Sequence, residues 1–273
     1  MTEMVGGGPF DLPAGAWTDD TSMALCLADS LLARRGFDPV DQLERYRRWY
    51  RDGERSSTGR CFDIGNATRA AIERFERTGE PYPGDAAPAA AGNGPLMKLA
   101  PVALAFARRP AEALAFAALS ARTTHGAPEA ADAARCFAAM LVHTLDGGDR
   151  RAVLDGEPLE LLGGERIHPK VAEVVDGSFL DLEPPDIRGG GYVVDALQAA
   201  LWALRTTTSF EEGVLAAVNL GDDADTTGAI FGQLAGAIYG AEAIPSQWRE
   251  RVFLHDEIVA LADGLLDLSE DSP

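Results

Sequence analysis

Two short groups of acidic and hydroxyl side chains stand out by type and spacing. Thr18-Asp19-Asp20-Thr21 opens the stretch WTDDTSMALCLADSLL, and Asp222-Asp223-Ala224-Asp225-Thr226-Thr227 lies within NLGDDADTTGAIFGQLAGAIYG, Asn219 to Gly240. Each leads straight into an apolar run. Residues of these types cap helix starts, where unsatisfied N–H groups and a partial positive charge favour them. One cap needs only one or two such residues. Asp222, Asp223 and Asp225 are three carboxylates within four positions, and they repel one another unless a cation sits among them. If the two groups converge, Thr18, Asp19, Asp20, Asp223, Asp225 and Thr226 form a set of hard oxygen donors without His or Cys. Such a set suits Mg²⁺ or Mn²⁺ rather than zinc, and so many carboxylates fit two ions better than one. The D-x-D-x-D-G loop of an EF-hand, with its distant Glu, is absent.

The elements that must position these groups read as helices almost throughout. Apolar spacing predicts helices over Thr21–Arg35, Pro39–Asp52 and Ile64–Thr78, stopped by Gly36, Gly53 and Gly79. Residues 79–95, rich in Pro, Gly and Ala, read as a loop. Further helices are expected over 96–107, 110–121, Glu129–Leu145, Tyr192–Arg205, Phe210–Val218, Asp225–Tyr239 and His255–Leu266, and 147–190 is broken by Gly and Pro. Gly228, Gly232, Gly236 and Gly240 share one helix face. Each glycine costs a helix roughly 1 kcal/mol against alanine. The row therefore predicts close approach of another helix or a ligand, and a central helix with its charged start at a mouth of the core. No alternating β-branched run appears. The expectation is an all-α, single-domain helical bundle over residues 1–273, with 268–273 as a tail.

Composition narrows the function classes. With 46% hydrophobic residues among 273, the chain can bury a substantial core. Its 43 acidic against 24 basic residues give a net charge of −19. That opposes wrapping of nucleic acid, which needs a basic face, opposes an anionic membrane surface, and suits cation binding. Cys26, Cys61 and Cys136 are odd in number and form no CxxC pair, so neither a disulfide framework nor a thiolate zinc site is indicated. The first residues lack the pattern of a signal peptide, and no apolar run is long enough to span a bilayer. A reducing cytoplasm is the expected setting.

The groups TDDT and DADT, with AGNGPLMKLAPVAL, SARTTH and GGGYVVDALQAALWAL in this order, resemble the ADP-ribosylglycohydrolases from about Gly6 to about Asp267. The resemblance implies an orthogonal all-α fold, a dinuclear Mg²⁺ or Mn²⁺ site, and hydrolysis of the bond joining ADP-ribose to a protein side chain, most simply arginine. An ADP-ribosylated protein or an ADP-ribose conjugate is the implied partner. The family's metal motifs fall on Thr18, Asp19 and Asp20 and on Asp223, Asp225 and Thr226, with Asp20 and Asp223 also expected to be catalytic. The position of Asp222 is commonly Gly, so Asp222 is expected beside the site or the helix dipole. Asp63, in the segment CFDIGNATRAAI, matches an acidic residue of the family and is the candidate proton carrier; as a bare sequence it equally reads as the cap of the Ile64 helix.

Asn93 and Gly94, in a small-residue loop before a helix, match an ADP-ribose contact through backbone N–H groups. His125, ending SARTTH, matches a ligand contact; His143, His168 and His255 have no such support. Tyr192 follows three glycines and reads either as a stacking ring for adenine or ribose or as a core anchor. Relatives usually begin with a further helix of the kind GDALG that carries a Glu. This chain has sixteen residues before Trp17 and lacks that helix, so a second expectation is an ADP-ribose-binding protein with weak turnover.

Overall fold

A computed structural model of the chain describes residues 1–270. Fourteen α-helices occur among them: α1 Asp19–Arg34, α2 Pro39–Asp52, α3 Asn66–Thr78, α4 Gly94–Met97, α5 Ala100–Ala105, α6 Pro110–Arg122, α7 Pro128–Leu145, α8 Arg150–Leu154, α9 Pro169–Glu173, α10 Val193–Thr206, α11 Phe210–Val218, α12 Ala224–Tyr239, α13 Ser246–Arg249 and α14 His255–Glu270. Only isolated bridges, and no strand, occur among the described residues. The fold is all-α, as expected.

Local chemistry sets most boundaries. The Asp38 side chain accepts from Val40 N and Asp41 N at the start of α2, and Pro39 supplies the first turn. Gly53 ends that helix with φ +73°, and a Cβ there would lie 2.2 Å from Gly59 O. The aromatic and charged run from Leu43 to Arg60 is an amphipathic helix face as far as Asp52, and turns beyond Gly53. Leu43, Tyr46 and Trp49 are buried, while Arg47–Glu44 and Arg51–Glu76 pair on the outside.

Four expectations are corrected. The helix expected over 96–107 is two, broken at Lys98 and Leu99. Pro101 has no N–H and its ring excludes a preceding helical turn. The break is closed from α12: Gln233 Nε2 donates to Leu96 O and Met97 O at 3.0 Å each, and Ala100 N donates to Gln233 Oε1 at 2.7 Å. Second, α3 begins at Asn66 with Gly65 before it, so Asp63 is not its cap. Third, α14 continues to Glu270, and Leu268 and Ser269 are buried; residues 268–270 are helix, and the rest of the expected tail lies outside the described residues.

The fourth correction concerns the glycine row. A Cβ at Gly228 would meet Val218 Cγ1 at 2.8 Å, but nothing lies within 4 Å of one at Gly232, Gly236 or Gly240. Helix α11 approaches α12 at Gly228 alone of the row and, more tightly, through its own Gly213, where a Cβ would sit 2.0 Å from Phe231 Cζ. Helix α12 buries one face, through Ile230, Phe231, Leu234 and Ala235. The central helix is α7, buried nearly all round from Ala130 to Val142, with α5, α6, α10 and α12 packed about it. The starts of α1 and α12 meet at one end of this bundle.

Candidate active site

The residues at the cap positions of the two acid groups do not cap their helices. Thr18 and Asp223 occupy the cap positions of α1 and α12, yet neither side chain makes a cap hydrogen bond. Ser209 and Asp149 do cap, at α11 and α8. The Thr18 hydroxyl lies 2.9 Å from Asp225 Oδ2 and 3.1 Å from Asp20 Oδ2. Thr226 Oγ1 lies 3.5 Å from Asp20 Oδ2. Cap-type side chains at cap positions thus face one another across the whole chain.

Their electrostatics follow from that placement. A threonine hydroxyl has one hydrogen, and Thr18 faces two carboxylates, so both contacts are satisfied only if a carboxyl holds a proton or a cation supplies the charge. Burial, then the charges of Asp20, Asp63 and Asp225, push Asp19 up to about 9. Burial, then the charge of Asp225, push Asp20 up to about 8. Asp20 Oδ1 is buried without a hydrogen-bond partner. A buried carboxylate oxygen left unmatched beside further carboxylates is a place for a hard cation. As the side chains stand, no three acidic, His or Cys groups among the described residues converge in the spacing of a finished metal site. The donor chemistry fits Mg²⁺ or Mn²⁺, and the ligand geometry is not pre-formed.

Asp223 is held by its surroundings. Asn93 Nδ2 donates to Asp223 Oδ2 at 2.7 Å, Asp223 N donates to Gly189 O at 2.7 Å, and Thr227 Oγ1 donates to Asp223 O at 2.7 Å. The three glycines 189–191 are a strap between two loops. Gly190 O accepts from Asn93 Nδ2 at 3.4 Å and Gly191 O accepts from Asn93 N at 3.0 Å. A Cβ at Gly189 would lie 2.7 Å from Thr227 Oγ1. Asn93 N–H is therefore spent on the strap, and Pro95 has none. The start of α4 offers fewer free backbone donors than its composition suggests.

A cavity of about 220 Å³ opens beside the acid groups, lined by Asp19, Asp63, Gly65, Thr68, Asn93, Gly94, Met97, His125, Asp223, Asp225 and Thr226. Asp63 adopts φ +58°, a left-handed conformation that Asp tolerates better than most residues. Burial, then the charges of Asp225 and Asp223, push its carboxyl up to about 6. His125 is 4% exposed and wedged against the loop: a Cβ at Gly92 would lie 2.9 Å from its Nε2, and one at Gly94 2.8 Å from its Cε1. The two glycines of Gly92-Asn93-Gly94 make room for that ring. Thr18 and Asp20 border a second space of about 550 Å³ under the N-terminal segment, so the acid cluster is the wall between two cavities.

The structure therefore brings together Thr18, Asp19, Asp20, Asp223, Asp225, Thr226, Asp63, Asn93, Gly94 and His125. It does not bring Tyr192. That ring lies outside the cavity, its hydroxyl accepting from Lys170 Nζ at 3.2 Å with the ammonium 5.2 Å from the ring centroid. Asp222 is exposed with φ +55°, a conformation that favours glycine, and lines a separate groove with Arg188 and Trp202. Its side chain does not line the cavity; it stands one residue before the cap position of α12, at the positive end of the helix dipole. Gly65, Thr68 and Met97 of the lining carry no signal in the sequence, where nothing distinguishes them from ordinary turn and helix residues. In the sequence the strap reads only as the approach to Tyr192. A run of three glycines is the signal that could have found it.

The sequence profile of the ADP-ribosylglycohydrolase family matches residues 1–273. The chain is 43% identical over 268 residues to the ADP-ribosylarginine hydrolase of Pseudomonas putida, covering 98% of this chain and 70% of that protein. It is 36% identical over 273 residues to the ADP-ribosyl-[dinitrogen reductase] glycohydrolase of Rhodospirillum rubrum, covering 98% of this chain and 84% of that one. A solved ADP-ribosylglycohydrolase-related protein complex superposes with a TM-score of 0.86 at 50% identity, over 98% of this chain and 87% of that one. No helix among the described residues is long and apolar enough to cross a membrane. The converging acid groups, the cavity beside them and these likenesses agree: the chain belongs to the ADP-ribosylglycohydrolase family and is a hydrolase.

Proposed function

We propose that this hydrolase cleaves the N-glycosidic bond between ADP-ribose and an arginine side chain of a modified protein, using two Mg²⁺ or Mn²⁺ ions. The observation that carries the reading is the Thr18–Asp225 contact at 2.9 Å, which joins the starts of α1 and α12 instead of capping them. The relatives named as ADP-ribosylarginine hydrolases, at 43% and 37% identity, support the arginine linkage. They also favour turnover over mere binding.

Asp19, Asp20, Asp223 and Asp225, with Thr18 and Thr226 as neutral donors, would hold the cations. When bound, these would supply positive charge to orient ribose hydroxyls and to acidify water. The remaining work falls to the chain. Cleavage at ribose builds positive charge at the anomeric carbon, which the surrounding carboxylates stabilise. Asp63 borders the cavity with a carboxyl pushed up to about 6, suited to giving and taking a proton near neutrality. Asn93 fixes the Asp223 carboxylate, and its loop with His125 forms the wall against which the nucleotide portion lies.

The test is release of ADP-ribose from an ADP-ribosylated arginine peptide with Mg²⁺ or Mn²⁺ added, against EDTA and against an ADP-ribosylated serine peptide. Cation-dependent release from arginine alone supports the proposal. Equal release in EDTA removes the cations from it, and release from serine alone removes the linkage.

A further inference from the structure

Lys98 is 1% exposed, and no step above uses it. It sits at the break between α4 and α5. Its Nζ donates to Thr124 Oγ1 at 3.1 Å and lies 4.6 Å from the centroid of the Tyr46 ring. The same Thr124 oxygen is 2.9 Å from His125 Nδ1. An ammonium has three hydrogens and no lone pair, so at the Lys98 contact Thr124 Oγ1 must accept. Its own hydrogen then needs an acceptor. In the hydrogen bonding of the described residues, Thr124 Oγ1 has one other partner, His125 Nδ1. That nitrogen accepts only when it carries no hydrogen, which places the imidazole hydrogen on Nε2. Nε2 is the nitrogen turned to the Gly92–Gly94 loop at the cavity wall.

The charge state of His125 agrees with this direction. Burial, then the charge of Lys98, push His125 down to about 3, so the ring is neutral and offers a single N–H. Burial pulls Lys98 down to about 7 while the charge of Asp19 opposes it, so the ammonium form that sets this direction prevails below that value, where the face of Tyr46 also favours the cation.

The geometry points to Lys98 as a positioning residue: through Thr124 it fixes His125 as the Nε2–H tautomer, so that the imidazole donates to an acceptor oxygen of the ADP-ribose moiety in the cavity. The identity of that ligand rests on the function proposed above; the tautomer does not. In a cavity lined by carboxylates, a neutral donor of fixed direction is what an oxygen-rich ligand needs.

The experiment is ¹⁵N–¹H correlation spectroscopy of protein labelled at its four histidines, with His125→Ala for assignment, alongside calorimetric titration with ADP-ribose. Wild type is expected to show Nε2 protonated and Nδ1 bare. In Lys98→Met, Thr124 Oγ1 is free to accept from the ring, and the Nδ1 resonance is expected to move towards the protonated position. ADP-ribose binding should weaken about tenfold, as for one buried hydrogen bond lost. The weakening should vanish when Lys98→Met is made on His125→Ala. Thr124→Ser should keep the wild-type spectrum and affinity, and Thr124→Val should weaken binding as Lys98→Met does. The inference is overturned if wild type carries hydrogen on Nδ1, if Lys98→Met leaves the Nδ1 signal unmoved, or if it weakens binding equally without His125. A wild-type protein that shows the expected tautomer but binds no ADP-ribose overturns the functional proposal and leaves the relay standing.

Discussion

Replacing Asp225 by Asn should stabilise the cation-free protein while abolishing its response to divalent ions. Asp20 and Asp225 share the Thr18 hydroxyl at 3.1 and 2.9 Å, so their nearest oxygens are at most about 6 Å apart, where two full charges repel by about 3 kcal/mol at an effective dielectric constant of about 20 and about 0.7 kcal/mol in bulk water. Asp20 is buried and Asp225 exposed, so the value falls between these limits. The repulsion acts only when both groups are ionised. Burial and then Asp225 raise Asp20 to about 8 in the folded protein, against about 3.9 in an unfolded chain. Between those values the folded state keeps a proton that the unfolded state has released, so stability falls as pH rises.

Removing the Asp225 charge returns part of that loss, and the Asn carbonyl still accepts from Thr18. The expected gain near pH 8.5 is about 1–3 kcal/mol, or roughly 3–10 °C in Tm for a chain of this size, shrinking towards zero near pH 5. Thermal unfolding in EDTA at both pH values measures it. Repeating the scans with Mg²⁺ or Mn²⁺ should raise the wild-type Tm and leave the variant unchanged. A variant that is less stable than wild type at alkaline pH, or a gain independent of pH, would refute the electrostatic account.

Three further outcomes are expected. Asp63→Asn should lower kcat by about 10²–10⁴, the usual worth of a positioned proton carrier, with ADP-ribose affinity within a few fold; single-turnover release and calorimetry separate the two. Gly94→Ala would place a methyl group 2.8 Å from His125 Cε1; the ring must move, and ADP-ribose binding should weaken about tenfold, an effect on the order of one hydrogen bond, while circular dichroism stays unchanged. Gln233→Leu strips Ala100 N–H and the Leu96 and Met97 carbonyls of their side-chain partner and should cost about 2–4 kcal/mol, read as a lower urea midpoint at constant m.

The helices were legible where Gly and Pro punctuate apolar spacing, as at Pro39, Gly53 and Pro110. The acid groups were legible because they hold more carboxylate than a cap can use. What escaped was tertiary. Apolar residues flank Lys98 on both sides, so spacing alone carries an unbroken helix across it. Only Gln233, more than a hundred residues later, explains where the freed backbone groups go. The glycine row on α12 invited a packing reading that holds at Gly228 alone and otherwise belongs to Gly213, because periodicity within one helix says nothing of where its neighbour approaches. Asp63 reads as a cap from its neighbours in sequence; its left-handed backbone, which turns it towards the cavity instead, is set by the path of a loop. Tyr192 follows the right glycines but turns towards Lys170.

The meeting of α1 with α12 has a consequence for biogenesis. Asp19 and Asp20 emerge from the ribosome roughly two hundred residues before Asp223 and Asp225, a wait of about 10–40 s at ordinary elongation rates. Throughout that interval the early pair has no counterpart, and its carboxylates remain hydrated and ionised. Ion capture cannot guide the nascent chain. On the proposed cation site, capture would only lock a polypeptide whose folding is already nearly finished.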